Sequence, residues 1–280
     1  MLIQGAASAI ALLIPVEAAA RLLSAIIGIG GSFAFIFFYC TRVLHITLAD
    51  CRVKKPRHIG LWLVIAAALP VSVSAFFLLF VPGSFAYKNP PTGAVVTILS
   101  QAVFGICLAA GMCEELVFRG YIMHILEIKW GKVTAILAPS VVFGLLHITA
   151  MQSPNLTDIL MLLIAGTSVG LMFSLIAYRC NSIWPGALVH GLWNLVIIGH
   201  IVDIGAEHFG AAIFSYTLEP GSTLITGGAF GIEASLPAVI AYWCVIALTV
   251  FSEKGEVVSS EKGEVEELEK MVSDTSAPPF

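Results

Sequence analysis

Charged side chains are scarce in this sequence. Only 11% of the 280 residues are Asp, Glu, Lys or Arg, whereas 58% are hydrophobic and the mean hydropathy is +0.95. A soluble globular domain carries about 25% charged residues, so the composition excludes that class. The apolar runs are long and continuous, whereas the strands of a membrane barrel alternate over about 10 residues. We therefore predict an integral, multi-pass membrane protein made of helices.

A basic excess is also missing. Residues 252–280 hold eight acidic side chains and three lysines, which leaves ten acidic against eleven basic side chains in residues 1–251. No electrostatic footprint for nucleic acid exists, so we expect no nucleic-acid partner. Because the end of the chain has almost no apolar content, we predict a helical bundle over 1–251 followed by an acidic, disordered cytoplasmic tail over 252–280.

Two common cysteine and zinc patterns are absent as well. The six cysteines form no CxxC pair, and the chain has no HExxH pattern. We interpret the cysteines as small core residues because they lie in or beside apolar runs, with a disulfide or metal role as the alternative. We expect no cleavable signal peptide, since no basic segment precedes the first apolar run.

Eight apolar stretches predict an all-α, polytopic bundle of seven or eight transmembrane helices. The stretches cover residues 4–20, 22–46, 59–81, 94–126, 133–150, 157–178, 183–201 and 232–251. Whether the first one spans is left open, because Glu17 and Arg21 interrupt the first two stretches at an i,i+4 spacing that favours an ion pair. The connection over 202–231 is predicted as a loop.

Basic side chains occur in every second connection between these stretches. They are Arg52, Lys54, Lys55, Arg57, Lys129, Lys132, Arg179 and Lys254, whereas the other connections from residue 46 onward contain only Lys88. Lys and Arg gather in cytoplasmic loops, so this alternation predicts that the basic loops and the tail are cytoplasmic.

Ionisable side chains within a membrane span cost about 2.5–3.5 kcal/mol each on insertion, so the few in the predicted spans, with one amide beside them, mark a functional site by default. They are Glu114, Glu115, Arg119, His147, His190 and Asn194. A purely structural role as interhelical hydrogen-bonding groups is the alternative. Six such groups from three stretches favour a catalytic cavity within the membrane.

Helical spacing separates the three charges of the first group. Glu115 and Arg119 are four residues apart, so they share a face and can form an ion pair. Glu114 points about 100° away from Glu115 and is free to face another group. The charges of Glu115 and Arg119 are thus predicted to neutralise each other, and the Glu114 carboxylate is left available to act on water.

Rise along the helices gives approximate depths for the three stretches. At about 1.5 Å per residue, Glu114 lies about 20 Å from the basic side, His147 about 22–25 Å and His190 about 10–15 Å. All three depths fall within the hydrocarbon, but the value for His190 does not match the other two. His190 and Asn194 are four residues apart and share a face.

Together these groups are suited to adding water to a carbonyl group. A Glu can deprotonate water, a His can share that task, and a His with an Asn amide can hold the developing oxyanion. A zinc-dependent site is the alternative, because Glu and His side chains are common zinc ligands. The ligands would come from three separate helices, so we expect no metal cofactor and keep zinc as the alternative.

Three motifs in this region resemble those of a known family. "EELVFR" at 114–119 matches EExxxR, "FGLLH" at 143–147 matches FxxxH, and "HGLWN" at 190–194 matches HxxxN. Their order is that of the CPBP (Abi) family, which includes the type II CAAX prenyl endopeptidases. The resemblance covers about residues 94–201.

The resemblance implies an intramembrane endopeptidase of the glutamic type. Carried over by motif position, Glu114 would be the general base and His147 its partner in activating water. His190 and Asn194 would form the oxyanion hole.

The other motif residues, Glu115, Arg119 and Phe143, would shape and hold the site. The implied partners are the lipid bilayer and a membrane-associated peptide or protein substrate, lipidated in some relatives, and we expect a prokaryotic cell membrane as the location. The alternatives are a zinc-dependent version of the same protease and a non-catalytic membrane scaffold or immunity protein.

Overall fold

The structure is a computed structural model, and it describes residues 2–11, 14, 16–56, 58–151, 154–206 and 211–251. The predicted acidic tail, with Lys254, and Arg57 of the basic cluster lie outside the described residues. The described chain is predominantly helical, which confirms the predicted all-α bundle.

The helices are labelled in chain order. They are α1 (Leu2–Ala11), α2 (Glu17–Tyr39), α3 (Ile59–Phe80), α4 (Thr92–Ser100), α5 (Gly111–Glu115), α6 (Met123–His147), α7 (Leu156–Cys180), α8 (Trp184–Ile197), α9 (Thr223–Thr226) and α10 (Leu236–Phe251). π-helical turns occupy Cys40–Leu44, Gln101–Ala110 and Leu116–Ile122, and 3₁₀ turns occupy Ile148–Ala150, Gly228–Phe230 and Ile232–Ala234. The strands are β1 (Gly83–Tyr87), β2 (Val202–Gly205) and β3 (Phe214–Leu218).

Four helical stretches in the described part of the chain are long and apolar enough to cross a membrane. They are Glu17–Leu44, Ile59–Phe80, Thr92–Ala150 and Leu156–Cys180. The apolar helix α10 is shorter, and α8 has 14 residues. With these dimensions the protein is an integral membrane protein.

The predicted first span over 4–20 is not a single helix. Helix α1 ends at Ala11, Ile14 is not helical, and α2 begins at Glu17. Ten residues extend only about 15 Å, half the thickness of the hydrocarbon, so α1 is too short to span. The predicted ion pair is confirmed, with Arg21 Nη2 lying 2.8 Å from Glu17 Oε1.

The predicted spans 94–126 and 133–150 form one continuous helical stretch, Thr92–Ala150, with a sharp break at Gly131. Gly131 has a φ of 80°, a conformation that favours glycine, and the chain changes direction there without a loop. Helix α7 follows, and its start is capped reciprocally by Asn155 and Asp158.

The basic loops gather at one end of the bundle. Arg52 forms an ion pair with Glu127 and lies 4.5 Å from the ring centre of Tyr178, and Lys132 Nζ lies 4.8 Å from the same ring. The backbone of Arg52 also accepts a hydrogen bond from Ile183 N, just before α8. The structure therefore places these basic loops side by side, as their predicted shared side of the membrane requires.

The segments 82–93 and 202–231, predicted as loops, contain a three-stranded sheet. Strand β3 lies in the centre, antiparallel to β1 and parallel to β2. The predicted loop over 202–231 is therefore wrong in its described part, since its strands and short helical turns fold over one end of the bundle. The main apolar core lies between α3, α7, α8 and α10, with Phe77, Phe173 and Tyr242 fully buried.

The cysteines largely match their interpretation as core residues. All six are free, and Cys40, Cys51, Cys113 and Cys180 are buried. Cys107 is half-buried and Cys244 is exposed.

Candidate active site

The predicted ion pair lies at the centre of the motif region. Arg119 Nη1 lies 3.0 Å from Glu115 Oε1, and both side chains are completely buried. Arg119 Nη2 also donates to the backbone oxygen of Gly170 on α7, at 3.0 Å. The predicted ion pair is therefore confirmed. It ties the segment Gly111–Ile122, which carries the first motif and is called the motif helix below, to α7.

Three aromatic rings surround the guanidinium of Arg119. Its Cζ lies 4.8 Å from the ring centre of Phe143, 5.2 Å from that of Phe173 and 5.6 Å from that of Phe118. Rings at such distances attract a desolvated cation, which offsets part of the cost of burying it. Phe143, on α6, thereby contacts the predicted site through its ring, which packs against the Arg119 guanidinium.

Glu114 faces a different direction from Glu115. Its side chain is 35% exposed, whereas that of Glu115 is 0% exposed. In the described part of the chain its carboxylate accepts no hydrogen bond, and its nearest ionisable partner is His190 Nε2 at 3.9 Å. Glu114 is thus the carboxylate of the pair that remains accessible.

His190 on α8 lies between the two carboxylates. Its Nδ1 is 3.1 Å from Glu115 Oε1, and its ring stacks on Phe173 with centroids 4.8 Å apart. An ionised Glu115 can only accept a hydrogen bond, so Nδ1 carries the proton and Nε2 faces Glu114. Neutral His190 offers a lone pair there, and protonated His190 offers an N–H.

His147 ends α6 and is held by its own helix. Its Nδ1 lies 2.7 Å from the backbone oxygen of Phe143, and its ring centre lies 4.6 Å from that of Phe143. A backbone carbonyl only accepts, so Nδ1 is the donor and Nε2 is left for another partner. His147 makes no direct hydrogen bond to Glu114 among the described residues.

Asn194 lies one turn after His190 on the same face of α8. Its Nδ2 donates to the backbone oxygen of Ile106 at 3.3 Å. That bond crosses to the π-helical turn before Glu114 and fixes the amide. One N–H of the amide remains for a further acceptor.

A close backbone contact brings α8 to the motif helix. A Cβ on Gly111 would lie 3.1 Å from the backbone of Gly191, so any larger residue there would push the two helices slightly apart. Further along the motif helix, a Cβ on Gly120 would lie 3.1 Å from the Cys51 backbone oxygen and 3.7 Å from Ile183, which stands just before the start of α8. Glu114 and His190 therefore lie at a similar depth. Counting residues from the basic loops had predicted different depths for the two side chains.

The predicted polar residues line one cavity of about 590 Å³. Its walls include Glu114, Phe143, His147, Phe173, His190, Trp193, Asn194, Phe230, Glu233 and Tyr242. Glu115 and Arg119 lie behind this surface. The structure thus brings together all four predicted catalytic side chains and places the ion pair as their support.

Sequence reasoning missed Glu233. Its Oε2 accepts a hydrogen bond from Trp193 Nε1 at 2.9 Å, and burial raises its pKa, against the opposing effects of that bond and of His147 and His190. The signal was present, because Glu233 is the second residue of the predicted span 232–251, where a carboxylate is unusual.

A zinc ion is the alternative to a metal-free site. In the described ranges, no three His, Cys, Asp or Glu side chains are grouped closely enough to hold a metal ion. His147 and His190 each use Nδ1 in another hydrogen bond and keep Nε2 for a further partner.

Comparison with known proteins gives one family. The model described as Type II CAAX prenyl endopeptidase Rce1-like matches residues 96–196, which contain all three motifs and both carboxylates of the pair. No curated protein and no solved structure matches the chain. The motifs, the cavity and this match agree, and residues 96–196 are therefore similar to the Rce1-like family of type II CAAX prenyl endopeptidases, which indicates a peptidase in the membrane.

Proposed function

We propose that the protein hydrolyses a peptide bond in a membrane-associated substrate with a water molecule activated by Glu114. The observation that carries the proposal is the different surroundings of two adjacent glutamates. Glu115 is enclosed and bound to Arg119 and His190, whereas Glu114 faces the cavity without a hydrogen-bond partner in the described structure.

In this mechanism Glu114 takes a proton from water, and His147 orients the water through its free Nε2. The hydroxide attacks the scissile carbonyl, and the charge on the oxygen is received by His190 and Asn194. His190 donates to that oxygen as an imidazolium, because its Nδ1–H is directed to Glu115. The single remaining N–H of Asn194 is the second donor.

The ion pair acts through position. Arg119 holds Glu115 in place through the ion pair, Glu115 fixes the tautomer of His190, and the aromatic rings exclude water from all three. Such preorganised dipoles in a poorly solvated site are worth more than the same groups in water. The substrate is a peptide or protein at the membrane, and prenylated or otherwise lipidated peptides are the first candidates.

The test is cleavage of lipidated and unlipidated fluorogenic peptides by purified protein in liposomes, with and without a strong chelator. We expect cleavage that Glu114→Gln abolishes and that the chelator leaves unchanged. Cleavage lost in the chelator and restored by zinc would contradict the metal-free mechanism. Failure of well-folded wild-type protein to cleave the panel would favour the scaffold alternative.

A further inference from the structure

A second carboxyl group enters the catalytic cavity from outside the three motifs. Glu233 lies in the Ile232–Ala234 turn, beyond the residues that the family model matches. It lines the same cavity as Glu114, His147 and His190. The side chain is half-buried, and placing a carboxyl group there costs free energy, so we ask what it does beside a peptidase site.

The turn that carries Glu233 is held at two points. Trp193 Nε1 donates to Glu233 Oε2 at 2.9 Å, and the hydroxyl of Tyr242 donates to the Glu233 backbone oxygen at 3.2 Å. Trp193 and Tyr242 are almost fully buried and pack edge to face, with ring centres 5.1 Å apart. Trp193 lies within the third motif, between His190 and Asn194, so the turn is fixed to the helix that carries the predicted oxyanion hole.

This arrangement leaves one oxygen of Glu233 available. Oε2 is used by Trp193, whereas Oε1 has no hydrogen-bond partner in the described ranges and is not fully enclosed. The ionisable groups facing it are His147 from α6, His190 from α8 and Tyr242 from α10. Burial raises the pKa of Glu233, with the Trp193 hydrogen bond and the two histidines opposing that effect.

Two carboxyl groups in one cavity therefore have different surroundings. Glu114 is 35% exposed, and its nearest ionisable partner is His190 Nε2 at 3.9 Å. Glu233 lies in a turn held by Trp193 and Tyr242, where burial raises its pKa and favours the protonated form, although the Trp193 hydrogen bond opposes this effect. Environments that separate two carboxyl groups in this way are typical of an acid and a base acting in one reaction.

We infer that Glu233 is the general acid of the reaction and gives its proton to the leaving nitrogen; the inference rests on the proposed function. Glu114 takes one proton from water while the water oxygen bonds to the carbonyl carbon and the carbonyl electron pair moves to oxygen. That pair then returns, the C–N bond breaks, and the nitrogen keeps the bonding electrons and takes the proton of Glu233. Transfer of one proton from Glu114 to Glu233 through water restores both groups.

The experiment compares two forms of one substrate. A peptide that wild-type protein cleaves is prepared with its normal scissile amide and with an ester at the same position. An alcohol leaves with much less need of a proton than an amine does. Glu233→Gln keeps an acceptor for Trp193 and removes the acidic proton, and Glu219→Gln, an exposed carboxylate between β3 and α9, is the matched control.

For Glu233→Gln we expect kcat on the amide to fall by about 10²- to 10⁴-fold, and kcat on the ester to fall by less than about tenfold. Glu219→Gln should leave both rates unchanged. Glu114→Gln should abolish both, because attack by water precedes departure of either leaving group. If Glu233→Gln does not fold, Glu233→Asp retains the acid, and its loss should again be larger on the amide.

Equal losses on amide and ester would show that Glu233 only supports the structure and would overturn the inference. Amide cleavage that needs Glu114 but is unchanged by Glu233→Gln would overturn the inference and leave the proposed function standing. Amide cleavage unaffected by Glu114→Gln would overturn the proposed function and the inference with it.

Discussion

At the scale of single residues, the site is explained by which polar groups are enclosed and which are accessible. Arg119 and Glu115 are fully buried and form an ion pair, and Glu115 also holds His190. The i,i+4 spacing predicted the ion pair because helical neighbours are fixed by local geometry. The contact between Glu115 and His190 was not predictable, because it depends on how two helices pass each other.

Removal of one partner of this pair should destabilise the protein strongly. We expect Arg119→Met to lower the free energy of unfolding by about 3–5 kcal/mol, because it leaves Glu115 buried without its counter-charge. The measurement is thermal unfolding in detergent. The double variant Glu115→Gln, Arg119→Met should recover part of the loss, and a single variant as stable as wild type would contradict a buried ion pair.

Glu233 shows what residue patterns miss. It belongs to no motif and stands at the edge of a predicted span, so spacing rules did not connect it with His190. Its place in the cavity follows from the hydrogen bond to Trp193, a contact across 40 positions of the chain.

At the scale of elements, long apolar helices were predictable, because each satisfies its own backbone hydrogen bonds and is marked by local hydropathy. The sheet was not predictable. Strands β1 and β3 have five residues each and pair across more than a hundred positions, as in Ser84 with Thr217. Neither strand has a turn pattern that would indicate the pairing.

Close helix contacts position the elements of the site. A Cβ on Gly166 of α7 would lie 2.6 Å from the Cα of Gly144, three residues before His147 on α6. Real Cβ atoms do not approach a backbone so closely, so the two helices would have to move apart. Gly144 and Gly166 thus determine how near His147 lies to the rest of the cavity.

We expect Gly166→Ala to lower the free energy of unfolding by about 1–3 kcal/mol, the usual effect of overpacking. Activity of the folded fraction should fall as well, because His147 would shift. Gly60→Ala in the first turn of α3, where a Cβ meets nothing within 4 Å, is the control and should be neutral. Unfolding measurements and cleavage assays on both variants test this, and a neutral Gly166→Ala would argue against the close contact.

At the scale of the whole molecule, the two ends of the bundle differ. Basic loops meet around Arg52 at one end, and the small sheet with the Gly228–Ala234 turns covers the other. The cavity lined by the motif residues adjoins the covered end, where Phe230 and Glu233 contribute to its walls. The alternation of charge along the chain predicts that the basic end is cytoplasmic.

Labelling of single cysteines tests this orientation. Lys55→Cys and Gly221→Cys are exposed positions at the two ends, made in a background in which the exposed Cys244 is replaced by serine. A membrane-impermeant maleimide should label Gly221→Cys in intact bacterial cells and Lys55→Cys only after permeabilisation. The reverse pattern would contradict the predicted orientation.

We propose that two adjacent glutamates have different functions, with Glu114 acting on water and Glu115 holding the site together. The most direct measurement is kcat and thermal stability of Glu114→Gln and Glu115→Gln, side by side in chelator-treated liposomes. We predict that Glu114→Gln loses turnover at unchanged stability, whereas Glu115→Gln loses stability together with turnover. A Glu114→Gln variant that still cleaves the peptide at the wild-type rate would contradict the account.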